Sequence, residues 1–153
     1  MVIEIYEDKT YRSIKAQYPV LFNPENYALT WDFSFHEEPT VKGGMTEALL
    51  ASVNPSVFDM TFIIDGTGVG AAALGKSSIH VPTEIWNFME AATVLNRNGT
   101  RKPQAPYCRL VWGNLCAKCY VKRVKLETKL LDRNGTVLRA ALITTFQTIY
   151  PTR

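Results

Sequence analysis

The sequence predicts a mainly β protein, in which antiparallel strands and one helix form a small barrel or sandwich. Three observations support this fold class: a long hairpin near the C-terminal end, shorter stretches that alternate apolar and polar residues, and one stretch of helical periodicity. The 153 residues are sufficient for one core and leave little room for a second, so residues 1–153 are predicted to form a single domain. No apolar run approaches the length of a membrane-spanning helix.

The hairpin is predicted over Leu115–Leu131 and residues 136–149, with its turn at Asn134-Gly135. Asn-Gly favours a two-residue type I′ turn, in which both central residues have φ > 0. The apolar positions of the first strand change phase at Lys122-Arg123, and a one-residue slip of this kind predicts a β-bulge. Both strands exceed the usual five or six residues. We therefore expect the hairpin to pair or pack with something beyond its own domain.

The other elements follow from local patterns. Alternation predicts strands over residues 27–35, 57–65 and 107–112, after two extended pieces near the N-terminus. Apolar residues at a spacing of 3.6 predict one helix over residues 82–97, with Pro82 at its first position. The segment between the first two of these strands, residues 36–56, is predicted to be a long connection with one or two helical turns over residues 45–53.

The charge is unevenly distributed. The chain carries a net charge of +3, yet residues 118–139 hold seven Lys or Arg against two acidic residues. A basic hairpin can bind nucleic acid or an acidic protein face. No nucleic-acid-binding motif accompanies it, which favours a protein partner over nucleic acid. The acidic, β-rich first residues do not resemble a signal peptide, so assembly in the cytoplasm is expected.

The three cysteines, Cys108, Cys116 and Cys119, are predicted to be reduced thiols in the core. Cys116 and Cys119 have the spacing of a zinc or redox pair. In a strand, however, a separation of three places their side chains on opposite faces. A zinc site needs two further ligands, and His36 and His80 are distant in sequence. The sequence therefore predicts neither a metal nor a cofactor.

The segment Gly70–Ser77 fits the GxxxxGK[ST] pattern of a phosphate-binding P-loop, in which Lys76 would contact the phosphates. A P-loop must lead straight into a helix, but Pro82 allows no helix before residue 82. No later strand ends in the Asp that would hold magnesium, and the strands that follow form a hairpin rather than βαβ units. We interpret the segment as a flexible Gly/Ala loop, with a small nucleotide-binding protein as the alternative.

Five segments together carry a resemblance to a known family: FNPENYALTW (22–31), FIIDGTGVG (62–70), VPTEIWNFM (81–89), CRLVWGNL (108–115) and LLDRNGTVLRAALITTFQ (130–147). In order and spacing they resemble the N-terminal tube-like domain of contractile injection system proteins, found in extracellular contractile particles and phage-tail-like systems. The most telling pieces are the FNP-E-x-Y turn, the LVWG strand and the D-x-NG-T-x-LRA hairpin. The resemblance covers nearly the whole chain.

The resemblance implies a fold similar to that of the tube proteins of type VI secretion and phage tails, with six copies in a ring. It also implies a structural protein without catalysis, in a baseplate ring that adapts the inner tube to the spike hub. A first tube ring or the tube itself are alternatives. Many relatives add a C-terminal lysin-motif domain, which is not expected within residues 1–153.

The implied partners are five further copies, the inner tube protein, the spike or hub protein and other baseplate proteins, with no nucleic acid and no direct membrane contact. The basic hairpin and the connections 36–56 and 66–80 are the candidate contact regions between subunits and rings. The candidate contact residues are Lys122, Arg123, Lys125, Arg139, Gly43, Gly44, Gly66, Gly68, Gly70 and Lys76.

Overall fold

A computed structural model describes residues 1–6, 8–38, 47–73, 75, 78–93 and 106–149 of the chain. Eight strands and two helices are found within them. In chain order these are β1 (Val2–Tyr6), β2 (Ile14–Pro19), β3 (Asp32–Glu38), β4 (Glu47–Asn54), β5 (Val57–Asp65), α1 (Val69–Ala73), α2 (Val81–Thr93), β6 (Tyr107–Trp112), β7 (Leu115–Leu131) and β8 (Val137–Thr148).

Six of the strands form one antiparallel sheet in the order β2-β1-β6-β7-β8-β5. Among the described strands, the remaining two, β3 and β4, pair only with each other. The prediction of a mainly β, antiparallel fold is confirmed. Among the described strands, the sheet does not close into a barrel, because β2 and β5 are its two edges.

Helix α2 covers the inner face of the large sheet and joins its two edges. Phe88 is buried, and its ring centroid lies 5.4 Å from that of Tyr18 in β2 and 5.4 Å from that of Phe62 in β5. The helix begins at Val81, where Pro82 and Glu84 suit the first turn. The helix predicted over residues 82–97 is therefore confirmed as far as Thr93, and the rest lies outside the described residues.

The core follows the predicted alternation of β5 and β8. Phe58, Met60, Phe62 and Ile64 are all buried on the inner face of β5. Phe146 in β8 stacks on Phe58 at 5.6 Å and meets Phe62 edge-on at 6.2 Å. Burying a side chain of this size contributes about 1.5–3 kcal/mol.

The long hairpin is confirmed, but its turn differs from the predicted type I′. Only Gly135 has a positive φ (83°), and its amide donates to the Asp132 carbonyl oxygen at 3.1 Å. This is a type I turn followed by a bulged glycine, the usual three-residue hairpin loop. The Asp132 carboxylate favours it by accepting hydrogen bonds from the amides of Asn134 and Thr136, at 2.8 and 2.7 Å.

The predicted bulge in β7 is confirmed. Val121 pairs with Phe146 and Arg123 with Thr145, so Lys122 is the extra residue. Two further irregularities, between Thr128 and Leu130 and between Leu130 and Leu131, were not predicted.

Two predictions for residues 27–56 are wrong. The strand expected over residues 27–35 begins only at Asp32, and the helical turns expected over residues 45–53 are the strand β4. Glu, Ala and Leu in β4 favour a helix locally, but pairing with β3 overrides that preference. The loop predicted at residues 66–80 also contains the short helix α1, because its VGAAA sequence is rich in alanine.

The cysteines follow the strand alternation. Cys108 and Cys119 are fully buried and lie opposite each other in β6 and β7, whereas Cys116 is exposed on the other face. The predicted core position is therefore right for two of the thiols and wrong for Cys116. Burial raises the pKa of Cys108 to about 12 and also raises that of Cys119.

A nearly buried carboxylate ties β1 to both neighbouring strands. Glu4 accepts hydrogen bonds from Arg109 at 2.6 Å, from the Tyr6 hydroxyl at 2.8 Å and from Gln17 at 3.3 Å. Burial alone would raise the pKa of Glu4, but the hydrogen bonds from Arg109 and Tyr6 and the Arg109 charge lower it overall. The charged carboxylate therefore stabilises the fold.

We expect iodoacetamide to modify native protein once, at Cys116. Cys108 and Cys119 are buried with raised pKa values, so little of either is present as the reactive thiolate. Intact-mass spectrometry checks this, with three modifications expected in denaturant and none in a native Cys116→Ser variant. Rapid native modification of either other thiol would contradict the assigned burial.

We expect Glu4→Gln to lower the free energy of unfolding at pH 7 by about 1–3 kcal/mol, since the charged hydrogen bonds are lost. The pKa of Glu4 is lowered in the folded chain, so its contribution is complete above its ordinary value of 4.5 and is lost as the pH falls further. In urea titrations, the free energies of unfolding of the parent and the Glu4→Gln variant should therefore differ less at pH 3 than at pH 7. The exposed Glu90→Gln is the control, and an equal loss there would refute the assignment.

Candidate assembly interface

The most exposed part of the fold is the two-stranded sheet of β3 and β4, which we call the arm (Asp32–Glu38 and Glu47–Asn54). Its described side chains are exposed, except Val53, which is half-buried. Besides the antiparallel pairing of β3 with β4, side-chain hydrogen bonds support the arm. Asn54 donates to the Ser34 hydroxyl at 3.3 Å, and at the base of the arm the Thr30 amide donates to the Ser56 hydroxyl at 3.1 Å. A two-stranded sheet of this kind is marginally stable alone in water.

The arm has one apolar face. Phe33 pairs with Val53 and Phe35 pairs with Leu50, so all four side chains lie on the same side of the pleat. Phe33, Phe35 and Leu50 are 54%, 58% and 57% exposed. Adjoining aromatic and aliphatic side chains with this exposure are typical of interaction surfaces, so this face is a candidate for one.

The second exposed region is the outer half of β7. Strand β6 pairs with β7 only from Leu115 to Cys119, while β7 continues to Leu131 with β8 on its other side. Among the described residues, no strand pairs with β7 on the β6 side beyond Cys119. We call residues 120–131 the β7 edge. Such an edge presents unpaired backbone N–H and C=O groups that can accept another strand.

Two of the predicted contact residues, Lys122 and Arg123, are exposed at the bulge of the β7 edge. They line an open depression with Val57, Asp59 and Thr145. Both side chains are exposed to solvent, and their contact with a partner stays a prediction.

Lys125 is exposed but partly engaged within the chain. It donates to Glu127 at 2.7 Å, and Lys129 donates to the other carboxylate oxygen at 2.6 Å. These hydrogen bonds and the two charges lower the pKa of Glu127 to about 2. The β7 edge remains net positive, because four basic residues surround one acidic residue in residues 120–131.

Arg139 serves the fold itself. Its Nε and Nη2 atoms donate to one oxygen of Asp65, at 2.9 and 2.6 Å. The Asp65 side chain is 8% exposed, and its other oxygen accepts from the amide and hydroxyl of Thr67. Burial alone would raise the pKa of Asp65, but the hydrogen bonds from Thr67 and Arg139 lower it overall. This contact fixes the end of β5 against β8.

Two of the predicted contact glycines are required by internal packing. A Cβ at Gly66 would lie 2.7 Å from the Ile79 carbonyl oxygen, and one at Gly70 would lie 2.7 Å from the Phe22 ring. Gly68 has a φ of +97° and open space around it. The role of these glycines between subunits stays a prediction. Gly43, Gly44 and Lys76 lie outside the described residues.

The P-loop pattern does not take the form of a phosphate cradle in its described part. Gly70 lies inside α1, where the Ala72 amide donates to the Gly68 carbonyl oxygen at 3.1 Å. The Gly75 amide likewise donates to the Ala72 carbonyl oxygen at 3.1 Å. A P-loop instead directs such amides to the phosphates. Nothing in the described residues favours nucleotide binding over the other interpretations.

The described residues contain no group of three or more His, Cys, Asp or Glu with the geometry of a metal site. They also contain no helix with the length and apolar character needed to cross a membrane.

The sequence predicts residues 36–56 as a candidate contact region, but not that β4 pairs with an exposed aromatic strand. The alternation of residues 27–35 predicts a strand without showing whether its aromatic face is buried, because exposed and buried aromatic faces have the same period of two. The available signal was the charge around it: the arm strands contain Asp32, Glu37, Glu38 and Glu47 and no Lys or Arg. Acidic residues beside an aromatic strand are typical of a solvent-facing surface.

The effect of a substitution on the free energy of unfolding should distinguish predicted contact residues that stabilise the fold from those that do not. We expect Arg139→Ala to lower the free energy of unfolding by about 1–3 kcal/mol, because it leaves the buried Asp65 without its cation. Arg123→Ala, in an exposed position, should stay within about 0.5 kcal/mol of the parent. Urea unfolding followed by circular dichroism checks both. Equal losses would show that Arg123 also serves the fold.

A comparison with curated protein sequences gives no match. The family model described as "contractile injection system tube protein" matches residues 1–152. The match spans the large sheet, both helices and the arm. This chain belongs to the contractile injection system tube protein family.

Proposed function

We propose that this chain is a structural component of a contractile injection system that forms a hexameric ring at the baseplate and joins the inner tube to the spike hub. The ring assembles in the cytoplasm and becomes part of the particle. It performs no catalysis. Its role is mechanical, since it matches the symmetry of the tube to the hub and keeps the channel continuous.

The asymmetry of the large sheet supports a ring. Helix α2 covers one face, while the opposite face carries charged groups such as Glu4, Arg109, Arg139 and Lys125. A sheet with one covered and one solvated face suits the wall of a water-filled tube, with the helix on the outside and the charged face toward the lumen. Among the described strands, β2 and β5 are the open edges of this sheet, and open edges can pair with strands of neighbouring copies.

The exposed apolar face of the arm is the single observation that carries the proposal. Phe33, Phe35 and Leu50 are each more than half exposed in one copy. A neighbouring subunit would cover them, and heterologous contacts of this kind close into a ring when the rotation allows it. The number six comes from the resemblance to tube proteins.

We expect purified protein, alone or with its tube and hub proteins, to form a ring. Six copies of the 17.2 kDa chain give a mass of about 103 kDa. Light scattering measures the mass, and negative-stain images of the same sample should show a central hole.

Tagged protein should also retain the tube and hub proteins in a pull-down, with an unrelated basic protein of similar size as the control. A monomer at high concentration that binds neither protein would rule out the proposal.

A further inference from the structure

We propose that the arm of one copy docks along the β7 edge of the next copy and adds β3 to the large sheet. The inference rests on the proposed ring and names the surface that each neighbour uses. Both surfaces belong to the same chain, so each copy would offer one arm and one edge.

The backbone supports the docking. The β7 edge has β8 on one side and, among the described residues, no strand on the other beyond Cys119. Strand β3 spans Asp32–Glu38 and is paired on one side by β4. The other side of β3 can therefore pair with the β7 edge, and the hydrogen bonds between them would satisfy both sets of backbone groups.

The two faces of each strand also match. Val124 and Leu126 lie opposite the buried Thr144 and Leu142, so they belong to the inner face of the sheet. Leu126 is nonetheless 49% exposed, and among the described residues no strand lies beside it on the β6 side. The Phe33 and Phe35 side of β3 would extend the inner face and cover Leu126.

The polar faces match as well. Arg123 and Lys125 lie on the outer face, opposite Thr145 and Ile143. The polar side of β3 carries Asp32, Ser34 and His36, which alternate with the two phenylalanines. Apolar residues would therefore meet apolar residues on one side of the sheet, and Asp32 would meet the basic residues on the other.

The opposite charges of the arm and the β7 edge favour a second copy of this chain as the partner. The arm strands contain four acidic residues and no Lys or Arg, whereas residues 120–131 contain four basic residues and one acidic residue. Opposite charges on surfaces that would be adjacent in a ring favour this pairing and disfavour arm-to-arm contact. The contact is heterologous, because the arm of one copy meets the β7 edge of the next. Repeated from copy to copy, such contacts form a closed ring when the rotation between copies allows it.

Two variants that each lack one of the surfaces test the docking. The arm variant is Phe33→Ser with Phe35→Ser, and the edge variant is Arg123→Glu with Lys125→Glu. Each alone should raise the dissociation constant for self-association by about tenfold or more. Mixed in equal amounts, they should form a heterodimer, because one intact arm and one intact edge remain. Sedimentation velocity gives the mass of the assemblies in the arm variant, the edge variant and their mixture.

Matched controls change the same chemistry elsewhere. Val69→Ser with Trp86→Ser removes two side chains that are 77% and 71% exposed, outside the arm. Lys9→Glu with Arg12→Glu makes the same charge change at exposed positions between β1 and β2. Both controls should assemble as the parent does. A mixture that stays monomeric, or controls that lose as much affinity, would overturn the inference.

Cross-linking locates the contact in the intact assembly, formed alone or with the tube and hub proteins. A photoreactive benzoyl-phenylalanine replaces Phe35, and equal amounts of ¹⁴N- and ¹⁵N-labelled chains distinguish links between copies. Links to residues 120–131 of another copy are expected. Links only to other segments, or only to the tube or hub protein, would overturn the docking but leave the ring intact. A chain that assembles with none of these proteins would instead refute the ring itself.

Discussion

The pairing of β7 with β8 links the two halves of the large sheet. On one side, β7 pairs with β6, β6 with β1 and β1 with β2. On the other side, β8 pairs with β5. The bulge at Lys122 allows one long strand to serve two surroundings. Before the bulge its small side chains Ala117 and Cys119 are fully buried, and after it the strand runs beyond its neighbour into solvent. The same hairpin thus organises the core and exposes the β7 edge.

Helix α2 closes the core over one face of the large sheet. Phe88 of α2 contacts an aromatic ring at each edge of the sheet. The helix therefore buries the inner face, although the described strands leave the sheet open. This covers the inner face where the strands are complete. It leaves the arm and the outer half of β7 outside the core. Apolar side chains in both places, such as Phe35 and Leu126, are therefore exposed in the single chain, as the proposed contact between copies requires.

Local patterns in the sequence predicted much of the fold. The hairpin, the bulge at Lys122, the alternation of β5 and the stripe of α2 were predicted correctly, because each depends on residues close in sequence. Strand β4 was not, since its Glu, Ala and Leu favour a helix and only pairing with β3 decides otherwise. The turn lies where it is predicted, but its type differs from type I′. The Asp132 carboxylate accepts hydrogen bonds from the amides of Asn134 and Thr136, which favours a three-residue loop. Of the predicted contact residues, Arg139 contacts Asp65 within the chain, a pairing of distant residues that periodicity cannot show.

The proposed ring lies at one place in the particle, between tube and hub. Electron microscopy of intact particles that carry a gold-labelled tag on this chain can locate it. Label is expected at the baseplate end of the tube and nowhere else. Label repeated along the whole tube would refute the proposed position and show instead that this chain builds the tube itself.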